Sequence, residues 1–104
     1  MIMFLNVSLY IKYKYINIRE SEFAMENIRK VLLRKLAKHG YWGKRHTPFK
    51  NLPKGFPKHF YDEVKKVAKQ LIKENILLSK PTGYGLEVSL NPKRKEEIEN
   101  IIFE

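Results

Sequence analysis

Cysteine is absent from the 104-residue chain. Disulfides and thiolate metal centres are therefore excluded, and the redox compartment stays open. No apolar run approaches the roughly 20 residues that cross a bilayer, so no membrane partner is expected. Histidine is scarce. His39, His46 and His59 have no spacing that makes a zinc pattern, and no cysteine completes one, so neither a metal nor another cofactor is expected. The glycine-rich loops that cradle phosphates are missing, because Gly83 and Gly85 are not followed by a helical pattern. Ser8, Ser21, Ser79 and Ser89 stand beside no base in an evident motif. The carboxylates of the C-terminal segment balance Lys93, Arg94 and Lys95. These absences together argue against an enzyme.

The most informative absence is of acid over one long interval. Between Glu26 and Asp62 there is no Asp or Glu, while Arg29, Lys30, Arg34, Lys35, Lys38, Lys44, Arg45, Lys50, Lys54 and Lys58 all fall there. The rest of the chain carries as many acids as bases, so the whole formal charge of +10 belongs to this interval. A solvated face is usually mixed in sign, because like charges repel. A block of one sign points to an anionic partner that neutralises it. The competing reading is a basic surface that serves solubility alone.

The length allows one domain at most, and 43% apolar residues suffice for one modest core. Residues 1–24 stand apart as an N-terminal extension. "MIMFLNVSLYIKYKYINI" is built mainly from residues encoded by AT-rich codons and lacks the basic start and small-residue cleavage site of a signal peptide. Val7, Leu9, Ile11, Tyr13 and Tyr15 alternate with Ser8, Tyr10, Lys12 and Lys14, the pattern of a strand. Two readings stay open: an extra strand, or a misassigned start ahead of Met25.

Residues 25–104 form the expected domain. Ile28, Val31, Leu32 and Leu36 define one face of a helix, with Ser21 as its cap if it begins early and His39-Gly40 as its end. Thr47-Pro48 reads as N-cap and first residue of a helix of about one turn, stopped by Pro53 and Gly55. Pro57 reads as the first residue of the next helix, whose stripe is Phe60, Val64, Val67, Ala68, Leu71 and Ile72, with Asn75 as a left-handed C-cap. "LLSKPTGYGLEVSL" is a hairpin with a turn longer than the minimum. Asn91-Pro92 opens a last helix with Ile98, Ile101 and Ile102 as its apolar positions.

The order helix, short helix, long helix, hairpin, helix is α+β. With the join "KKVAKQLIKENILLSKPTGYGLEVSL", where a helix runs straight into a hairpin, it resembles the winged helix-turn-helix family over about residues 25–103. The resemblance implies that the long helix is a recognition helix and the hairpin a wing. Lys65, Lys69 and Lys73 repeat on the side of that helix opposite Phe60 and Val64, with Lys58, His59 and Lys66 nearby. Lysines mostly meet phosphates, and few residues here are better suited to read bases, so strong sequence specificity is not expected. The alternative is that these lysines only keep an outer face soluble.

Lys44, Arg45, Lys50 and Lys54 extend the basic set. At the wing tip Lys80 pairs with phosphate and Tyr84 lies on sugar or base, unless Tyr84 folds back on its own hairpin. Tyr41 and Trp42 sit among bases, as stacking aromatics do, but a lone loop tryptophan is more often a core plug, with an indole N–H that needs a partner. The expected function is a cytoplasmic DNA-binding regulator of transcription that contacts the phosphate backbone, with DNA favoured over RNA and a homodimer if half-sites are symmetric. The alternatives are an RNA-binding or ribosome-associated protein, or a winged helix that joins a protein assembly.

Overall fold

The computed structural model describes residues 17–104, with side chains from residue 25 onward. The alternating stretch 7–15 lies outside the described residues. Helix α1 spans Asn17–Lys38, α2 Tyr61–Lys73 and α3 Lys95–Ile102; strands β1 (Thr47–Pro48), β2 (Leu77–Thr82) and β3 (Gly85–Leu90) form one antiparallel sheet in the order β1-β3-β2. The architecture is a small α+β domain, consistent with a winged-helix-like arrangement.

Helix α1 begins earlier than the Met25 pattern alone implies, and Ser21 lies within it rather than capping it. Its buried face is Ile28, Leu32, Leu33 and Leu36, whereas Val31 is 46% exposed. At roughly 100° per residue, Val31 lies on the opposite side of Ile28 from Leu32 and Leu36, while Leu33 continues round the buried side. Both α1 and α2 end in the same way. Gly40 (φ 73°) and Asn75 (φ 63°) take left-handed backbone after the last turn. Tyr41 N–H then donates to Leu36 C=O and Ile76 N–H to Leu71 C=O, while Gly40 and Asn75 N–H donate to Ala37 and Ile72 C=O. This doubly bonded left-handed ending satisfies carbonyls that the helix leaves open.

Thr47 and Pro48 are a strand, not the start of a helix. They pair with Val88 and Glu87 of β3. Pro48 has extended backbone (φ −62°, ψ 136°) and offers no side-chain cap to the single 3₁₀ turn Phe49–Asn51 that follows. Pro is tolerated here because β1 is an edge, where a missing N–H breaks no ladder. The short helix thereby shrinks to that one turn. Pro57 likewise precedes a 3₁₀ turn, Lys58–Phe60, and α2 starts only at Tyr61. Neither start has a side-chain cap bond, and tight 3₁₀ turns are common where a helix opens.

The hairpin is minimal rather than long. Its ladder runs from Leu77↔Leu90 to Thr82↔Gly85, leaving only Gly83 and Tyr84 in the loop. Gly85 (φ 126°) supplies the left-handed backbone the turn needs. Leu77, Val88 and Leu90 point inward with Val64, Val67, Ala68 and Leu71 of α2, Leu52, Ile76, and Ile98 and Ile102 of α3. Asn91 fixes the exit from the sheet. Its side chain donates to Asn75 C=O at 2.8 Å and accepts from Lys93 N–H at 3.1 Å, capping the turn Pro92–Arg94 that leads into α3.

Candidate nucleic-acid interface

The outer face of α2 exists because its inner face is apolar without interruption. Val64, Val67, Ala68 and Leu71 are buried against α1 and the sheet, which turns Lys65, Lys66, Lys69, Gln70 and Lys73 to solvent. Lys58 and His59 are exposed on the turn that leads into the helix, with the His59 ring 4.2 Å from that of Phe60. Among the described residues none of these lysines forms an ion pair. Asp62 and Glu63 sit in the first turn of α2, where carboxylates complement the helix dipole.

A second group lies on the outer face of the sheet. Strand alternation and register place Leu78, Lys80, Glu87 and Ser89 on that side. Lys44 and His46 close it into a shallow groove with them. His46 Nδ1 is 2.9 Å from Glu87 Oε1, and Lys80 is the residue directly across the ladder from Glu87. Ser89 hydroxyl donates to Gly43 C=O at 2.8 Å, tying the 43–46 loop to the strand. Arg45 is exposed, with its guanidinium 5.7 Å from the Tyr41 ring. Lys50 and Lys54 are exposed on the loop between β1 and α2.

Tyr84 stands at the wing tip and is 97% exposed, so it does not fold back on the hairpin. Its own N–H donates to Thr82 Oγ1 at 3.2 Å, and Thr82 hydroxyl donates to Gly85 C=O at 2.7 Å. The tip is thus held by one threonine that bonds across the loop. Trp42 is half-buried and packs against the core beside Leu90, with which it forms a parallel bridge. Among the described residues no buried side-chain N or O lacks a partner.

Part of the acid-free interval is used to hold the fold, which the sequence does not reveal. On α1, Arg29 pairs with Glu74 at 2.8 Å, Lys30 donates to Glu104 C=O at 2.8 Å, Arg34 donates to Ile102 C=O at 2.9 Å, and Lys35 donates to Lys54 C=O. Arg34 and Lys30 thereby serve the C-terminal end of α3, where cations meet the open carbonyls. Burial raises the affinity of Glu74 for a proton, but hydrogen bonds from Gln70 and Arg29 and the Arg29 charge outweigh it and hold the carboxyl below its usual range. Lys35 is pushed below the ordinary lysine value, first by burial and then by the nearby charge of Lys54. No such partners occupy Lys44, Arg45, Lys50 or Lys58 among the described residues.

Among the described residues no cluster of His, Cys, Asp and Glu is disposed to hold a metal, and no helix is long and apolar enough to cross a membrane. Set against protein-family models, curated proteins and solved structures, the chain finds no match in any of the three.

Proposed function

We propose that the protein is a winged-helix nucleic-acid-binding protein, with α2 as the helix laid against the ligand, the β2–β3 hairpin as the wing, and duplex DNA as the favoured class. One observation carries the reading: cations of the 44–58 segment, of α2 and of the wing stay exposed and without ion-pair partners among the described residues, while Arg29, Lys30, Arg34 and Lys35 of α1 bond to other parts of the fold and only Lys38 at its end joins the exposed set. Exposed cations at Lys58, Lys65, Lys69 and Lys73 along α2, and at Lys44, Arg45, Lys50, Lys54 and Lys80 on the loops and the sheet, repel their neighbours unless an anion meets them. The arrangement supports the same reading. A long helix packed by one face leaves the other free, and the wing projects beside it. A role in transcription follows if the ligand is promoter DNA.

Lysines dominate the surface, so binding is led by phosphate contacts and is weakly selective in sequence. Release of counterions from about six phosphates makes affinity fall about a thousandfold between roughly 50 and 200 mM salt. A competition series with duplex DNA, single strands and structured RNA across that range tests this. A flat salt response removes the electrostatic basis of the proposal, and stronger binding to structured RNA than to duplex reassigns the ligand.

A further inference from the structure

We propose that Tyr84 is a stacking platform for an unpaired or terminal base, so that the protein prefers a strand end or a junction of duplex and single strand over uninterrupted duplex; this rests on the nucleic-acid reading above.

The ring is 97% exposed, so both faces are available to a flat partner. An aromatic left in water at the end of a hairpin gains nothing for the fold. Its surroundings do not make a protein-docking patch either. Anchor tyrosines at protein interfaces are ringed by contacts that exclude water, whereas Tyr84 is flanked by Gly83 and Gly85, and a methyl group built on either glycine meets nothing within 4 Å. Bare backbone on both sides lets a bulky ligand approach the ring closely. A base offers its π-face only when it lies at the end of a stack or outside one. Bases inside a continuous duplex cover each other. An exposed, two-sided ring is therefore matched to an open base.

The tip is also stiff enough for stacking to be worth its cost. Thr82 hydroxyl bonds across to Gly85 C=O at 2.7 Å and accepts from Tyr84 N–H at 3.2 Å, and below it the six-pair ladder runs back to Leu77↔Leu90. Little backbone freedom is then given up when a base settles on the ring. Lys80 lies on the outer face two residues before Thr82, about 7 Å back along the strand, and shares its groove with Lys44. The strand that delivers the base thus has cations along its path. The tip itself has none, since Thr82, Gly83, Tyr84 and Gly85 carry no charge. Reading by ring face rather than by charge is what that composition favours.

The test uses a labelled DNA duplex with a single-stranded overhang that carries 2-aminopurine at its first unpaired position. Unlabelled overhang duplex and relaxed, covalently closed circular duplex compete against it at equal nucleotide concentration. The circle is expected to compete about tenfold less well, and 2-aminopurine fluorescence is expected to drop on binding. Tyr84→Ala should abolish both the preference and the drop with an unchanged melting temperature, and Tyr84→Phe should retain both. Equal competition by the circle, or a preference that survives Tyr84→Ala, overturns the inference while leaving nucleic-acid binding intact. Absence of binding to every one of these DNAs overturns the reading it rests on as well.

Discussion

Asp62 sits in the first turn of α2, and at roughly 100° per residue it falls in the middle of the stripe that bears Lys65, Lys69 and Lys73. Two effects oppose each other there. The carboxylate stabilises the helix start by about 0.3–1 kcal/mol, and it repels any phosphate brought to the same face. Asp62→Asn should therefore lower the stability measured by thermal melting by that amount while tightening binding to duplex DNA at low salt, with the gain fading as salt rises. Weaker binding instead would mean that the start of α2 faces away from the ligand. Residues whose role is local were legible in the sequence. Asn75 and Gly40 end their helices through their own backbone preferences, and Asn91-Pro92 caps the 3₁₀ turn that leads into α3, which itself starts only at Lys95. Arg29, Lys30 and Arg34 were not legible, because their partners Glu74, Glu104 and Ile102 lie 45, 74 and 68 residues away. No pattern within a short window encodes such pairings.

At the scale of elements, α2 carries the face proposed to bind nucleic acid on a rigid support. Its buried stripe is independent of the outer lysines, so changing Lys65, Lys69 and Lys73 together to Gln keeps helix propensity close to native and removes only charge. The melting temperature should hardly move. Binding should weaken about evenly across DNA sequences, and the salt slope should become shallower by about one unit for each phosphate no longer neutralised. Unchanged affinity in this triple variant would show that another face meets the ligand. The helices and strand β3 were readable because periodicities of 3.6 and 2 persist over whole elements, whereas Lys80, Pro81 and Thr82 read as part of the turn and are the end of β2 instead. Strand β1 was not. Two residues cannot display a period, and Thr47-Pro48 has the composition of a helix start. Only the free edge of β3, forty residues later, makes it a strand. The same limit hid the 3₁₀ turns, since Pro48, Pro53 and Pro57 mark breaks without saying how tightly the chain winds between them.

Seen as a whole, the molecule separates the cations that hold it together from those left on its outside, although one acid-free stretch of sequence contributes to both sets. Composition alone located the excess charge but could not divide it, because the division is made by packing α1 against α3 and the end of α2. The junction around Leu90 is where these parts meet. Leu90 N–H donates to Tyr41 C=O at 2.8 Å, Leu90 C=O accepts from Gly43 N–H at 3.0 Å, and the next residue, Asn91, donates its N–H to Ile76 C=O at 3.0 Å. One position on β3 is therefore bonded to the loop after α1 and stands next to a bond to the segment after α2. Opening it means parting the sheet from both helices at once. In exchange with heavy water, the Leu90 amide should keep its proton until the whole domain unfolds, while the Tyr84 amide, bonded only to a hydroxyl at an exposed tip, should lose its proton through local opening. The two rates, followed as denaturant is added, should converge only at the global transition. The hairpin then works as a lever: Thr82 keeps the tip in its resting shape between brief openings, and a load applied there is carried down the ladder to a fulcrum at Leu90 that yields only with the whole domain.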